Sequence, residues 1–551
     1  MKKIVLVLLF VVFSIEVFSQ SKQIKNVILM IPDGTSWATV SSARWYQRYN
    51  NPDKPNLYLD PYLCGTVLTF SSNAPIGDSA PTTSCYMTGV PSRAGYVATY
   101  PPADPKNDIV PLDSTMAYQP LMTILEAAKI FHNMATGLVF TCEFPHATPA
   151  DCSAHSYNRG KYEWIAPQMA HNNIDVVIGG GVRFLNEESK NYLLNEGFGV
   201  LLDDINGFHT YPGNKMWSLF CQEDMPYDLD RDKTLYPSLA EMTAKAIEKL
   251  SKNENGFFLM VEGSKIDWAA HANDPIGMIT DMLAFDEAFG VAADFAKRDG
   301  ETIIIAVPDH GNSGISIGSS RCTNYSTQSK DDLFKTVSGF KATSETIVAL
   351  LKNTAPDSIK SVFKQYTNIE LSDKDMKRIL SSKDYSKSAL SAEERMKGTD
   401  LKKLITEILN DATCFGFTTG GHTGEEVFLA IYSPKSDLRP TGFMTNIDLN
   451  RYMQTILATG DLNKHTEEYF AKHTEVFKDY SWKINKNNKI PVLEIERIRK
   501  NKKSGNDKLL ITPNSNVVLF NGKEIKLNSV VVYVDKTDTF YLPKSLTGIF
   551  N

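Results

Sequence analysis

Short runs of continuous apolar, β-branched residues alternate along this chain with longer stretches whose apolar positions recur every three or four residues. The first run, Asn26-Val-Ile-Leu-Met-Ile-Pro32, has no polar alternation and stops at Pro32-Asp33-Gly34. That pattern predicts a strand buried on both faces and closed by a turn. Residues 137–141, 174–178, 256–261, 302–307 and 427–431 repeat it, and residues 119–130, 238–250 and 275–295 carry a helical period. Strands without a polar face, separated by amphipathic helices, predict an α/β fold: a mainly parallel central sheet with helices on both faces. In such sheets, functional residues gather beyond the carboxyl ends of the strands.

Two stretches break the pattern. Residues 313–414 are rich in Ser, Lys and Asp, with short helical patterns at 344–351 and 399–408, and are expected to form a helical insertion. Residues 485–551 open with a basic stretch (486–503) and continue with strand-like runs at 508–512, 517–520, 524–527 and 530–534. Asn521-Gly522 between two of these runs is a hairpin signal, so a linker and a small β module are expected here. At the other end, Lys2 and Lys3 precede an apolar run from Ile4 to Phe13 and small or polar residues up to Gln20. This is the layout of a secretory signal peptide over residues 1–20, and it implies an exported protein, periplasmic or extracellular, with one large domain over 21–484. Glu16 cuts the apolar run short of a membrane span, and no later stretch reaches about 18 apolar residues.

With 551 residues, 42% hydrophobic and 22% charged, the composition is that of an ordinary globular protein. The net charge of −6 predicts no nucleic-acid-binding surface, which would need a strongly basic face. The seven cysteines are odd in number, so at least one is free or paired between chains; Cys142 and Cys152 are the nearest pair. The lack of any Cys-x-x-Cys speaks against a cysteine zinc site.

The positions of carboxylates and imidazoles are the chemical signal. Asp33 ends the first strand. Asp309 and His310 follow the run 302–307, and His422 lies in the glycine-rich turn Thr419-Gly-Gly-His-Thr-Gly424. Asp267 and His271, spaced i,i+4, share one face of a helix. Each piece alone is weak, since a lone His–Asp pair is usually a satisfied pair. Together, three aspartates and three histidines suffice for two zinc ions, and two such ions roughly 4 Å apart clamp the attacking and leaving oxygens of a phosphoryl transfer. The candidate nucleophile is Ser79, in Gly77-Asp-Ser-Ala-Pro-Thr, at a helix start with Pro81 in the first turn. The N–H groups of a helix start favour a phosphate anion, although a serine there is also an ordinary cap. With no Gly-x-Ser-x-Gly present, its activation would fall to a metal.

Six ordered segments make the reading specific: Pro32-Asp-Gly34, Asp78-Ser-Ala80, His146-Ala-Thr-Pro-Ala150, Val261-Glu-Gly-Ser-Lys-Ile-Asp-Trp-Ala-Ala-His271, Asp309-His-Gly311 and Gly421-His-Thr-Gly424. In this the chain resembles the alkaline phosphatase family over about residues 25–480. The resemblance implies hydrolysis of small phosphate monoesters, with Ser79 phosphorylated in passing. It implies two Zn2+, one held by Asp33, Asp309 and His310, the other by Asp267, His271 and His422, and one Mg2+ held by Asp33, Thr148 and Glu262. Arg159 matches the arginine that forks two phosphate oxygens. Family members are often homodimers, which makes a second copy a candidate partner. Two positions depart from one bacterial branch: His146 replaces an aspartate and Trp268 a lysine. His146 makes Zn2+ or Co2+ an alternative occupant of the third site. Competing readings are a phosphodiesterase, phosphonate hydrolase or sulfatase on the same scaffold, or a non-catalytic metal- or phosphate-binding surface protein. The chain lacks the Cys-x-Pro-x-Arg segment of the sulfatases, and Thr148 and Glu262 favour the three-metal monoesterase.

Overall fold

The structure is a computed structural model that describes residues 24–322, 324–387, 391, 394, 397–487, 490–497 and 506–550. The expected signal peptide, residues 1–20, and parts of the basic stretch 486–503 lie outside the described residues. No described helix is long and apolar enough to cross a membrane.

A ten-stranded sheet forms the body. Its strands include β1 (Asn26–Pro32), β2 (Leu63–Leu68), β3 (Ala135–Glu143), β4 (Val176–Gly180), β5 (Gly199–Leu202), β6 (Met216–Phe220), β7 (Phe257–Gly263) and β8 (Thr302–Ala306). Two later strands, Val427–Tyr432 and Gly442–Thr445, complete it. The spatial order is Gly442–Thr445, β2, Val427–Tyr432, β8, β1, β7, β3, β4, β6, β5. Strand Val427–Tyr432 is antiparallel to both its neighbours, and the remaining pairings are parallel. The centre is therefore β8-β1-β7-β3, four parallel strands whose carboxyl ends emerge side by side. Every residue of β1, β7 and β8 is buried, which is why they read as unbroken apolar runs. Helices pack over both faces and divide the core into two apolar layers, around Val27, Leu29 and Ile31 on one side and Ile28 and Met30 on the other.

The helix expected over 119–130 begins later, at Ile124. Thr123 caps it reciprocally with Glu126, and a capping box of this kind sets a sharp start. Strands β2, β5, β6 and Gly442–Thr445 carried too little apolar continuity to stand out; β5, for instance, is only half-buried.

The insertion contains helices Lys330–Ser338, Ser344–Lys352, Pro356–Thr367, Asp373–Leu380 and Leu401–Asp411 around an apolar centre that it shares with Ala269, Ala270, Ile276 and Ile279 of the body. A disulfide between Cys322 and Cys414 ties the segment entering it to the segment leaving it. Cys64, Cys85, Cys142, Cys152 and Cys221 remain thiols.

The carboxyl-terminal part is a seven-stranded antiparallel sheet in the order Ala471–Lys472, Thr539–Leu542, Lys523–Val534, Ser515–Phe520, Asp507–Ile511, Val492–Arg497, Ser481–Asn485. The two runs at 524–527 and 530–534 are one continuous strand. Asn521 and Gly522 both have positive φ, 50° and 80°, as a tight hairpin between Phe520 and Lys523 requires. This sheet rests on the body through Asp535, which accepts from Tyr157 Oη at 2.5 Å and pairs with Lys161 at 2.9 Å.

Candidate active site

The four central strands deliver the candidate residues to one edge of the sheet. Asp33 follows β1, Asp309 and His310 follow β8, Glu262 lies near the end of β7, and His146 and Thr148 follow β3. Asp267 and His271 sit on the short helix Lys265–His271, directly after β7. His422 comes from far along the chain. It reaches the site because strand His422–Thr423 pairs antiparallel with Gly311–Asn312, just beyond His310.

The turn after β1 must be tight. Gly34 has φ of 62°, and a Cβ there would collide with the Asp267 carboxylate, so only glycine lets this backbone pass so close. The Gly34 and His310 N–H groups both donate to Asp309 Oδ1 at 3.0 Å, which turns Oδ2 toward the site. Asn312 donates to Asp267 Oδ1 at 2.7 Å.

His310 Nε2 stands 3.3 Å from Asp309 Oδ2, 3.5 Å from Asp33 Oδ1 and 3.4 Å from Ser79 Oγ. His271 Nε2 lies 3.3 Å from Asp267 Oδ2 and 3.1 Å from His422 Nε2. His422 stacks on His310 with ring centres 3.7 Å apart, so the two predicted ligand sets touch. All three rings are oriented through Nδ1, facing the carbonyls of Gly311, Gly420 and Gly77 at 3.1, 2.8 and 2.9 Å. A carbonyl only accepts, so each Nδ1 carries a hydrogen and each Nε2 is left to face the carboxylates. Oriented imidazoles of this kind are what metal sites use.

The electrostatics match the crowding. Burial, with the charges of Asp309, Asp267 and Glu262, pushes the Asp33 carboxyl well above its usual range. Burial lifts Glu262 to about 8. Burial alone would raise Asp267 too, but its hydrogen bond with His271 and the charge of His310 pull it down. The same bond raises His271 to about 9.

The residues present fit metal cations. Both Asp33 oxygens, Asp309 Oδ2, Glu262 Oε1, Thr148 Oγ1 and His146 Nδ1 are buried and satisfied by no hydrogen bond. Orphaned polar atoms at such density are costly without a partner. Asp33, Asp309 and His310 offer ligand atoms within 4.8 Å of one another, as do Asp267, His310 and His422.

Ser79 is the first residue of helix Ser79–Thr88, and its hydroxyl is in the site. It is not the cap: Asp78 holds that place and accepts from the Ser79 N–H at 2.9 Å. Asp78 also holds Arg159, whose Nη1 lies 2.9 Å from Asp78 Oδ1 and whose Nη2 lies 2.9 Å from His146 Nε2. Burial tends to raise the Asp78 carboxyl, but the Arg159 guanidinium and the imidazoles of His310 and His422 bring it below its usual value. Burial and Arg159 together drive His146 down to about 3, so it is a neutral ring.

Sequence reasoning missed three residues. Asp78 was legible as the capping type beside Ser79. Asn312 sits two residues past His310. Cys142 had no signal, because the lack of Cys-x-x-Cys pointed away from any thiol; its Sγ lies 3.4 Å from Glu262 Oε2, and it groups with His146 and Glu262 within 4.8 Å. His155 is held away from these groups by Glu126 Oε1 and the Ala98 carbonyl, each at 3.1 Å.

A mainly parallel α/β sheet whose carboxyl edge gathers carboxylates, imidazoles and one serine defines a metal-dependent phosphatase. The alkaline phosphatase family profile matches residues 24–206 and 209–459, and the chain belongs to that family. It is 32% identical to alkaline phosphatase 3 of Bacillus subtilis (strain 168), over 75% of this chain and 85% of that protein. It is 30% identical to the repressible alkaline phosphatase of Saccharomyces cerevisiae, over 83% of this chain and 86% of that one. Among solved structures, the cold-active alkaline phosphatase from a psychrophilic Shewanella superposes with a TM-score of 0.66 at 26% identity, covering 78% of this chain and 99% of that one.

Proposed function

We propose that this protein is exported and hydrolyses phosphate monoesters through a phosphoserine at Ser79, releasing inorganic phosphate. The observation that carries this reading is the position of Ser79 Oγ, 3.4 Å from His310 Nε2 at the start of a helix, whose positive end favours an anion.

Asp33, Asp309 and His310 are the proposed ligands of one Zn2+, and Asp267, His271 and His422 those of a second. Asp33, Thr148 and Glu262, with His146 beside them, are proposed for Mg2+, or for Zn2+ or Co2+ in its place. Such cations neutralise the phosphate and lower the pKa of hydroxyls they touch. Arg159 presents its fork to two non-bridging phosphate oxygens, with Asp78 and His146 holding it in place. Ser79 Oγ bonds to phosphorus as the bond from phosphorus to the alcohol oxygen breaks on the opposite side, toward His271. The proton lost by Ser79 balances the one gained by the alcohol. Water then attacks phosphorus from the side the alcohol left, and Ser79 regains its hydroxyl.

The test is turnover of p-nitrophenyl phosphate, a diester and an aryl sulfate, for wild type and Ser79→Ala, with metal content measured on both. Expected is monoester turnover that falls by several orders of magnitude in Ser79→Ala while zinc stays bound. Unchanged turnover removes Ser79 from the chemistry; faster turnover of the diester or sulfate replaces the monoesterase. For export, the secreted protein should begin near residue 21, as read by amino-terminal sequencing.

A further inference from the structure

The insertion helix Leu401–Asp411 forms a wall of a cavity that opens on His271. The cavity holds about 600 Å³ and lies between the stretch 268–273, the turn 417–420 and this helix. His271 is the candidate ligand that shows itself there: its side chain is 41% exposed, against 6% for Asp267. The helix presents Lys402, Thr406 and Asn410 to the cavity, spaced i, i+4, i+8, and Lys403 beside them.

We infer that this cavity receives the alcohol portion of the substrate and selects phosphate monoesters whose alcohol carries a second anionic group. The inference rests on the proposed function, in which the alcohol departs on the His271 side. Its own basis is positive charge that no acid lining the cavity neutralises. Glu407, the acidic residue lining the cavity, is tied to Arg378 at 2.5 Å. Lys402 pairs with Glu345 at 3.7 Å, an exposed ion pair of the kind worth little in water, and Lys403 has no ion pair among the described residues. Lys403 is therefore available to a second phosphate or carboxylate entering beside the reacting one, and Lys402 can join it by giving up an exposed ion pair.

The wall opposite is fixed. Trp268 has the Lys265 ammonium 4.3 Å from its ring centre and its edge on His146 at 5.9 Å. The helix is held as well: the Cys322–Cys414 disulfide clips its far end, and Arg321 Nη2 donates to the Asn410 carbonyl at 3.0 Å. The turn 417–420 joins the wall to the site, since Thr418 and Thr419 donate to the Ser313 carbonyl and the Gly420 carbonyl accepts from His271. The helix that carries the lysines is thus anchored beside the reacting centre, as selection between substrates requires.

The experiment compares kcat/KM for fructose 1,6-bisphosphate, fructose 6-phosphate and a carboxylate-bearing monoester, 3-phosphoglycerate. Proteins are wild type, Lys402→Ala/Lys403→Ala, Lys402→Arg/Lys403→Arg, and Lys360→Ala as a lysine of the insertion remote from the cavity. Wild type should prefer the bisphosphate beyond the statistical factor of two, and the preference should fade as salt rises. The double alanine variant should lower the ratio of bisphosphate to monophosphate kcat/KM about fivefold, while the arginine pair and Lys360→Ala keep it. A parallel fall with 3-phosphoglycerate assigns the pocket to anions in general, and a fall with the bisphosphate alone assigns it to phosphate. A ratio unmoved in the alanine variant, or no wild-type preference, overturns the inference. Failure of wild type to turn over any of these or p-nitrophenyl phosphate overturns the monoesterase reading instead.

Discussion

The Nε2 atoms of His271 and His422 face each other at 3.1 Å while both Nδ1 atoms sit against backbone carbonyls. Two neutral rings in this arrangement point lone pairs at one another, next to the Asp267 carboxylate. Only a positive charge makes the arrangement stable, supplied by a proton or by a metal ion. The raised His271 pKa, about 9, is the protonic answer to this problem.

Metal removal should therefore abolish catalysis reversibly. Dialysis against a chelator is expected to cut p-nitrophenyl phosphate turnover by roughly a thousandfold or more, and Zn2+ with Mg2+ to restore it. His422→Ala should lower bound zinc by one ion per chain, as read by elemental analysis; full zinc content in that variant would break the assignment of His422.

Metal affinity should rise with pH. Glu262 and His271 lie at about 8 and 9, so both hold protons at neutral pH until a metal displaces them. In chelated protein these raised values mean that the folded state binds more protons than the unfolded one. Their contribution to stability is present at acid pH and is lost as pH climbs through 8 and 9. The gap in Tm between metal-loaded and chelated protein is expected to widen from pH 6 to pH 9, and calorimetry in two buffers should count protons released on zinc binding.

Arg159→Ala should weaken phosphate binding and slow the reaction together. Loss of a charge-assisted fork is worth about 2 kcal/mol, or roughly thirtyfold in kcat/KM. Arg159→Lys should recover part of this, because an ammonium keeps the charge without the fork. The inhibition constant of inorganic phosphate is the direct readout.

Tyr86 ties the serine helix to the strand end that carries Asp309. Its hydroxyl donates to the Pro308 carbonyl at 2.7 Å in the core. Tyr86→Phe leaves that carbonyl without its partner and should cost about 1–2 kcal/mol of stability, measured by denaturant unfolding.

Much of the fold was legible because periodicity is local. The strands Asn26–Pro32 and Thr302–Ala306 and the helix Pro275–Asp299 fall close to where their apolar spacing predicts. Asp267 and His271 share a face because i,i+4 on a helix leaves no other outcome. Strand Gly442–Thr445 was invisible because its first residues lie exposed at the sheet edge, where apolar continuity is not required.

From the amino-acid sequence alone came the residue types, the buried strands, the turns that end them and the family. Tertiary structure alone decided that β8, β1, β7 and β3 lie side by side, that His422 stacks on His310 at 3.7 Å, that Asp78 grips Arg159, and that Lys402 and Lys403 border the same cavity as His271. The physical reason is one of range. Helical and strand periods arise from neighbours a few residues apart, whereas strand order and the seating of a long insertion follow from burying apolar surface between segments hundreds of residues apart.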